Sequence, residues 1–376
     1  MEEEKYKISY ETLWKFIIRP PRDEYDEDFL GEKEFNYRKK LYIRHDYKIL
    51  SSQGYFLRCS FIEPKTRTID EMPVVIYLHG NSSSRLEGLR MGKVLLKNDI
   101  NLFVFDFAGC GLSEGEYITL GYHESHDLAI IVNFVSRLPG TGKIGLWGRS
   151  MGAATTMIYA HKDPRICAIV MDSPFADFSK LAKELVQKQV KNLPGFIISS
   201  ALSIVGSTIK KKTGMEISKL KPIQCAGKTS IPAIFIHALN DELINIQHTL
   251  DLTEKYEGPK SLLSCDGGHN SPRPKDVLNK IGEFFKNNFY DNDIFYNINN
   301  TKNKINSDTK SESTQYSEFN DNNKIEEKNK QNLKKDTIKK NTENISKNVK
   351  DENEKKKKKE NVDVNKSNDN FNFDNI

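Results

Sequence analysis

Apolar residues in the first 290 positions follow two alternating patterns, short continuous runs and longer stretches with helical spacing. Five runs have the length and continuity of strands that are buried on both faces: 74–78, 102–106, 144–147, 166–171 and 233–237. Between them, stretches such as 123–137 place apolar side chains three and four residues apart, which predicts amphipathic helices. Strands that alternate with helices at this spacing predict an α/β fold, a mostly parallel sheet with helices on both faces.

Interruptions of this alternation predict the domain organisation. Residues 173–228 lie between two predicted strands and contain helix-like segments, so we predict a helical cap inserted into one α/β domain at 41–289. Residues 1–40 precede it as an N-terminal extension. In residues 290–376 Asn and Lys dominate and apolar residues occur singly. Such a segment cannot bury enough apolar surface to offset its backbone entropy, and we predict a disordered tail.

Composition limits the kinds of site and the cellular location that we expect, but it assigns no partner or oligomeric state. The net charge of +5 is small for 376 residues, and the five cysteines are widely spaced without a CxxC pattern. This excludes a disulfide framework and a zinc site of the usual spacing. The N-terminus has no signal-peptide pattern and no apolar run is long enough to span a bilayer, so we expect a cytoplasmic protein.

Two clusters suggest metal or nucleic-acid binding on first inspection. His123 and His126 are close together, but no further ligand spacing accompanies them, so we expect no metal. The basic run Lys355–Lys359 is flanked by acidic residues and has no interleaved aromatic side chains. A solvated tail explains this run better than a nucleic-acid site does, and we expect no nucleic-acid partner.

The strongest chemical motif is Gly148-Arg-Ser-Met-Gly152, a G-x-S-x-G sequence between a predicted strand and a predicted helix. In this context the serine lies on a sharp turn that lifts its hydroxyl out of the sheet edge. Ser150 is therefore the candidate nucleophile. The alternative is a serine that only caps the following helix, which would not require the second glycine.

A serine hydroxyl needs a base, and the base needs a carboxylate to orient it. His269 follows the last predicted strand in a glycine-containing loop and is the candidate base. Asp241 follows the predicted strand 233–237 and is the candidate carboxylate. Glu242 is its near alternative and Asp172 a more distant one. The chain order Ser, Asp, His is that of α/β sheets with a nucleophile elbow.

The same reasoning predicts an oxyanion hole and an acyl pocket. The backbone N–H of Met151 and that of Asn81, with Ser82 as the alternative to Asn81, are the candidate oxyanion donors. In the cap, Phe196 and Leu202 belong to an apolar stretch that either lines a substrate pocket over the nucleophile or only seals the cap onto the body.

Four segments resemble the motifs of the α/β-hydrolase superfamily: Tyr77-Leu-His-Gly-Asn81, Asp106-Phe-Ala-Gly-Cys-Gly-Leu-Ser113, Gly145-Leu-Trp-Gly-Arg-Ser-Met-Gly152 and Asn240-Asp-Glu-Leu-Ile244. The resemblance extends over about residues 40–288 and is strongest to the serine aminopeptidase and monoacylglycerol-lipase-like, prolyl-oligopeptidase-like branch. It implies an eight-stranded, mostly parallel sheet and hydrolysis through an acyl-enzyme, without a cofactor.

These motifs predict a serine hydrolase that cleaves a small-molecule ester or thioester with a lipid-like acyl chain. A serine peptidase is the second hypothesis, although no residues point to an amine or proline pocket. The third is a non-catalytic binding protein on the same fold, which would have no need to keep three catalytic groups in chain order. No paired cysteines near the N-terminus support attachment to a membrane, as they do in palmitoylated thioesterases of this group.

Overall fold

A computed structural model describes residues 10–67, 69–189 and 195–290. The strands are β1 (Glu34–Tyr37), β2 (Lys40–Leu50), β3 (Phe56–Pro64), β4 (Met72–Leu78), β5 (Asn101–Phe105), β6 (Thr141–Arg149), β7 (Ile166–Asp172), β8 (Ala233–Ala238) and β9 (Lys260–Cys265). The α-helices are α1 (Tyr10–Ile18), α2 (Arg85–Leu96), α3 (Glu124–Val135), α4 (Met151–Ala160), α5 (Phe178–Gln189), α6 (Gly195–Thr213), α7 (Ile223–Ala226), α8 (Ile246–Lys255) and α9 (Lys275–Tyr290).

The strands form one sheet in the order β1-β2-β3-β5-β4-β6-β7-β8-β9. The pairs from β5 to β9 are parallel, whereas β1, β2 and β3 join the edge in antiparallel fashion. The carboxyl ends of the parallel strands therefore meet at one edge of the sheet, which is where ligands bind in open α/β sheets. This mostly parallel α/β architecture confirms the predicted fold class.

In the described residues the sheet has nine strands where eight were predicted, because the N-terminal extension contributes β1. This strand pairs with β2 through a two-residue turn at Arg38 and Lys39, which both have positive φ, at 49° and 64°. Such turns usually contain glycine or asparagine. An Arg-Lys turn carries no such signal, so the sequence pattern missed this hairpin.

Side chains of the central strand β4 alternate between two apolar cores, one on each face of the sheet. Val74, Ile76 and Leu78 enter one core, and Val75 and Tyr77 enter the other. A strand that is covered on both faces has no solvent-exposed side chains, which explains the continuous apolar runs in the sequence. The two cores hold the central strands, and hence their carboxyl ends, in fixed positions.

Helices α5, α6 and α7 occupy the predicted cap between β7 and β8. Helix α6 packs against α1 of the N-terminal extension, where the ammonium of Lys212 lies 4.5 Å from the ring centroid of Trp14. No helix in the described part of the chain is long and apolar enough to cross a membrane. The predicted disordered tail lies outside the described residues, apart from Tyr290 at the end of α9.

Candidate active site

Ser150 lies between the end of β6 and the start of α4, in a strained backbone conformation with φ of 52°. Its N–H donates to the carbonyl of Asp172 on the neighbouring strand β7, at 2.8 Å. A non-glycine residue at positive φ costs free energy, and it persists only where the surroundings hold it in place. The turn presents the Ser150 hydroxyl at the carboxyl edge of the sheet, as the G-x-S-x-G motif predicted.

The two glycines of the motif are required by close packing around this turn. A Cβ on Gly148 would lie 2.2 Å from the carbonyl oxygen of Gly152, and a Cβ on Gly152 would lie 2.1 Å from that of Leu78. Both distances are far inside van der Waals contact, and the atoms met are backbone atoms that cannot move aside. Only glycine at both positions lets α4 start directly against β4 and β6.

Ser150, His269 and Asp241 form a continuous hydrogen-bonded chain. His269 Nε2 lies 3.0 Å from Ser150 Oγ, and His269 Nδ1 lies 2.6 Å from Asp241 Oδ2. Because an ionised carboxylate only accepts hydrogen bonds, Nδ1 carries the proton and Nε2 is left to accept from the hydroxyl. The three residues follow β6, β9 and β8, so the parallel sheet brings together groups that are far apart in sequence.

Asp241 is held by the backbone that follows it. Its Oδ1 accepts from the N–H groups of Leu243 and Ile244, at 2.9 and 2.8 Å. The fully buried His237 braces this loop, since its Nε2 lies 3.0 Å from the Ile244 carbonyl. Burial raises the pKa of Asp241, but the hydrogen bond and the charge of His269 outweigh it and leave the pKa below its ordinary value. The carboxylate is therefore ionised at neutral pH.

The two alternative carboxylates make other contacts. Glu242 Oε2 accepts from the backbone N–H of His269, at 3.1 Å. Asp172 binds the guanidinium of Arg273 through both oxygens, each at 2.8 Å, and both side chains are buried. The hydrogen bond to Nδ1 of the His269 ring is made by Asp241. Geometry thus favours Asp241 as the orienting acid.

Arg273 was not singled out from the sequence, yet it holds the loop that carries the imidazole. Its guanidinium donates to the carbonyls of Gly268 and Ser271, at 3.2 and 2.9 Å, while it is paired with Asp172 at the end of β7. An arginine in a Ser-Pro-Arg-Pro stretch carries no sequence signal of such a contact. The contact becomes apparent only in the structure, where the end of β7 and the loop after β9 are neighbours.

The predicted oxyanion donors belong to two segments next to Ser150. Met151 is the first residue of α4, where backbone N–H groups have no partner within the helix. On the opposite side is the loop after β4, where a Cβ on Gly80 would lie only 3.7 Å from Ser150 Cβ. Asn81 and Ser82 follow Gly80 at the exposed turn, and Ser82 has φ of 57°. The choice of Met151 and Asn81 as donors stays a prediction.

His79, at the start of this loop, is fully buried and braces the carbonyl of Gly80. Its Nε2 accepts from the N–H of Phe107 at 3.1 Å, so Nδ1 carries the proton and donates to Gly80 O at 2.8 Å. The imidazole links the loop after β4 to the loop after β5.

The predicted pocket residues are placed less completely. Leu202 is half-buried on α6 and packs against the core below the cap. Phe196 lies near the start of the same helix, and its side chain is outside what the structure describes.

Away from the site, His123 Nε2 lies 2.6 Å from the carbonyl of Thr213. In the described part of the chain, no group of three or more His, Cys, Asp or Glu side chains could hold a metal ion.

Comparison with known proteins finds similarity to α/β hydrolases over part of the chain. Residues 73–214 match the α/β-hydrolase fold family. The Pyrococcus furiosus esterase Pf2001 is 25% identical, with a TM-score of 0.52, and the match covers 66% of this chain and 93% of that one. An acetyl xylan esterase from Thermoanaerobacterium has the same fold, with a TM-score of 0.52 at 16% identity over 74% of this chain and 98% of that chain.

Relatives found by sequence similarity include a further ester hydrolase. The uncharacterized protein YqkD of Bacillus subtilis is 27% identical over 226 residues, 59% of this chain and 72% of that protein. The lysophosphatidylserine lipase ABHD12 of Danio rerio is 26% identical over 202 residues, 50% of this chain and 49% of its own length. The chain thus spans about half of that lipase. The α/β-hydrolase fold, the motifs and these relatives support the superfamily that the sequence resemblance predicted. The branch within that superfamily stays a prediction.

The contacts of the three carboxylates give a test of the site. We expect Asp241→Asn to lower kcat by about 10⁴-fold, because an amide N–H facing Nδ1 favours the wrong imidazole tautomer. Glu242→Gln keeps an oxygen that can accept from the His269 N–H, so its kcat should stay within about tenfold of wild type. Ester turnover by both variants, with melting curves to verify folding, checks this. Near-normal activity of Asp241→Asn would show that another carboxylate orients the histidine.

Proposed function

We propose that this protein is a serine hydrolase that cleaves a carboxylic ester or thioester with a lipid-like acyl chain, through an acyl-enzyme on Ser150. The observation that carries the proposal is the hydrogen-bonded chain from Ser150 Oγ through His269 to Asp241, at the carboxyl edge of the sheet. A binding protein has no need of a base 3.0 Å from a strained serine. Each group in the chain has a role in acyl transfer.

In the first half of the reaction, Ser150 Oγ attacks the acyl carbon as its proton moves to His269 Nε2. Asp241 stabilises the imidazolium that forms, and its depressed pKa keeps it ionised during the transfer. The N–H groups of Met151 and Asn81 are the proposed donors to the oxyanion of the tetrahedral intermediate. The C–O or C–S bond then breaks, the leaving group takes the proton from Nε2, and the acyl group stays as an ester on Ser150.

In the second half, water replaces the alcohol or thiol. His269 Nε2 takes a proton from the water as its oxygen attacks the acyl carbon, and a second tetrahedral intermediate forms in the same oxyanion hole. Its collapse returns the proton to Ser150 Oγ and releases the carboxylic acid. These steps use groups of the chain and water, and they return every group to its starting state.

The cap and the relatives support an apolar acyl substrate. Helix α6 has no charged side chain from 195 to 209, and its own residues Ile198, Val205 and Ile209 are buried. Leu202 is half-buried beside them, as a pocket residue would be. Among the relatives, Pf2001 is called an esterase and ABHD12 a lysophosphatidylserine lipase. Both names are in keeping with an ester substrate here.

Loss of the nucleophile tests the reaction directly. We expect Ser150→Ala to abolish labelling by a fluorophosphonate probe and to lower p-nitrophenyl ester turnover by about 10⁶-fold, because the attacking oxygen is removed. The melting temperature should change little, since alanine replaces a small hydroxyl group. Labelling is read on a gel and turnover by absorbance. Undiminished labelling of Ser150→Ala would place the nucleophile elsewhere.

Acyl-chain preference tests the proposed pocket. If Leu202 contacts the acyl chain, Leu202→Ser should lower kcat/KM for an octanoate ester much more than for acetate, since each buried methylene contributes about 0.8 kcal/mol. The exposed Ile204 on the same helix gives the matched control, and Ile204→Ser should leave both esters within about twofold. Equal losses on the two esters for Leu202→Ser, with a lower melting temperature, would mean that this residue only seals the cap.

A further inference from the structure

Two loops must keep their positions relative to Ser150 for the proposed reaction. One is the loop after β4, which carries Gly80 and the proposed oxyanion donor Asn81. The other is the loop after β9, which carries His269. A single pair of side chains, Glu87 and Arg149, contacts both loops.

Glu87 holds the loop after β4. It lies in the first turn of α2, three residues after the N-cap Ser84, which is the spacing of a capping box. Its carboxylate faces the sheet, where Oε2 accepts from the N–H of Gly80 at 3.2 Å and Oε1 accepts from the hydroxyl of Tyr77 at 2.8 Å. The peptide unit that Glu87 holds joins His79 to Gly80, one residue before the peptide that carries the N–H of Asn81.

Arg149 holds the histidine loop. It is the residue before Ser150, so its backbone is part of the strained turn. Its Nη2 donates to the carbonyl of His269 at 2.6 Å and lies 3.2 Å from Asn270 Oδ1. Its Nη1 donates to Glu87 Oε1 at 3.2 Å. The guanidinium therefore bridges the carboxylate and the backbone of the proposed general base.

The pair is largely shielded from water. The side chains of Glu87 and Arg149 are 9% and 19% exposed. Burial raises the pKa of Glu87, but the charge of Arg149 and the hydrogen bonds to the carboxylate outweigh it, so that its pKa lies below the ordinary value. The carboxylate is therefore ionised at neutral pH, where it pairs with Arg149.

We propose that Arg149 and Glu87 act as one positioning unit that fixes the oxyanion loop and the His269 loop relative to Ser150. This role rests on the proposed function. Neither residue touches the reacting atoms, and both act through the backbone that carries those atoms. The need for such a unit is physical, because a displacement of about 1 Å at a catalytic group can lower the rate by about 10²-fold.

The two members have different expected effects when they are changed singly. Arg149→Met removes both the ion pair and the contact with His269, and we expect kcat to fall by about 10²-fold. Glu87→Gln keeps the shape and one acceptor oxygen, and we expect a fall of about tenfold. KM should stay within about threefold in both, since neither side chain contacts substrate. Arg149→Lys keeps the charge without the fork of donors, and its kcat should lie between those of Arg149→Met and wild type.

A combined variant separates a unit from two independent effects. If Arg149 and Glu87 act through one arrangement, the double variant should be no slower than Arg149→Met, because the ion pair that Glu87→Gln weakens is already absent and the glutamine oxygen can still accept from Gly80. Independent effects would multiply to about 10³-fold. Multiplying losses would overturn the proposal of a single unit.

A control must exclude general loss of stability. Arg165 pairs with Asp163 at 2.6 Å next to the amino end of β7, at the edge of the sheet away from Ser150. Arg165→Met should therefore leave kcat within about twofold, whatever it does to the melting temperature. An equal kcat loss in Arg165→Met would overturn the positioning role.

The experiment measures kcat and KM for p-nitrophenyl acetate and the rate constant of fluorophosphonate labelling, on the full chain and each variant, with melting curves. We expect slowed labelling in Arg149→Met and Glu87→Gln at temperatures well below their melting transitions. If Arg149→Met does not fold, Arg149→Lys and Glu87→Gln carry the test. A wild-type chain that is not labelled would overturn the proposed function. Normal labelling of wild type and variants alike would overturn the positioning role alone.

Discussion

The hydrogen bond between Ser150 Oγ and His269 Nε2 depends on the parallel register of four neighbouring strands. The strands β6, β7, β8 and β9 lie side by side, and their carboxyl ends define one edge. Ser150, Asp241 and His269 follow β6, β8 and β9 at that edge. Because the apolar cores on both faces fix the strands, the positions of the three side chains follow from the fold rather than from contacts within one loop.

Strand β7, which lies between β6 and β8, holds the catalytic loops in place and supplies none of the three hydrogen-bonded residues. Its last residue, Asp172, accepts from the Ser150 N–H through its carbonyl and pairs with Arg273 through its carboxylate. Arg273 in turn holds carbonyls of the loop that carries His269. One strand end thus braces both the nucleophile turn and the histidine loop. A buried ion pair with several further hydrogen bonds suits this purpose, since breaking one partner leaves a buried charge uncompensated.

Features that follow a local sequence pattern could be predicted from the sequence. The buried strands appeared as continuous apolar runs, and the strand-turn-helix context of Gly148 to Gly152 pointed to Ser150. Strand β1 was missed, because the Arg38-Lys39 turn has none of the usual turn residues. The contacts of Glu87, Arg149 and Arg273 were also missed. Such contacts join residues that are distant in sequence, and an isolated charged side chain carries no sign of its partner.

The proposed reaction requires a covalent acyl group on Ser150. The most direct measurement is mass spectrometry of the full chain, quenched in acid shortly after mixing with p-nitrophenyl octanoate, followed by mapping of the modified peptide. We expect one octanoyl group per chain, located on Ser150, which disappears as substrate is exhausted. Turnover without any adduct, or an adduct that maps to another side chain, would show that Ser150 is not the nucleophile.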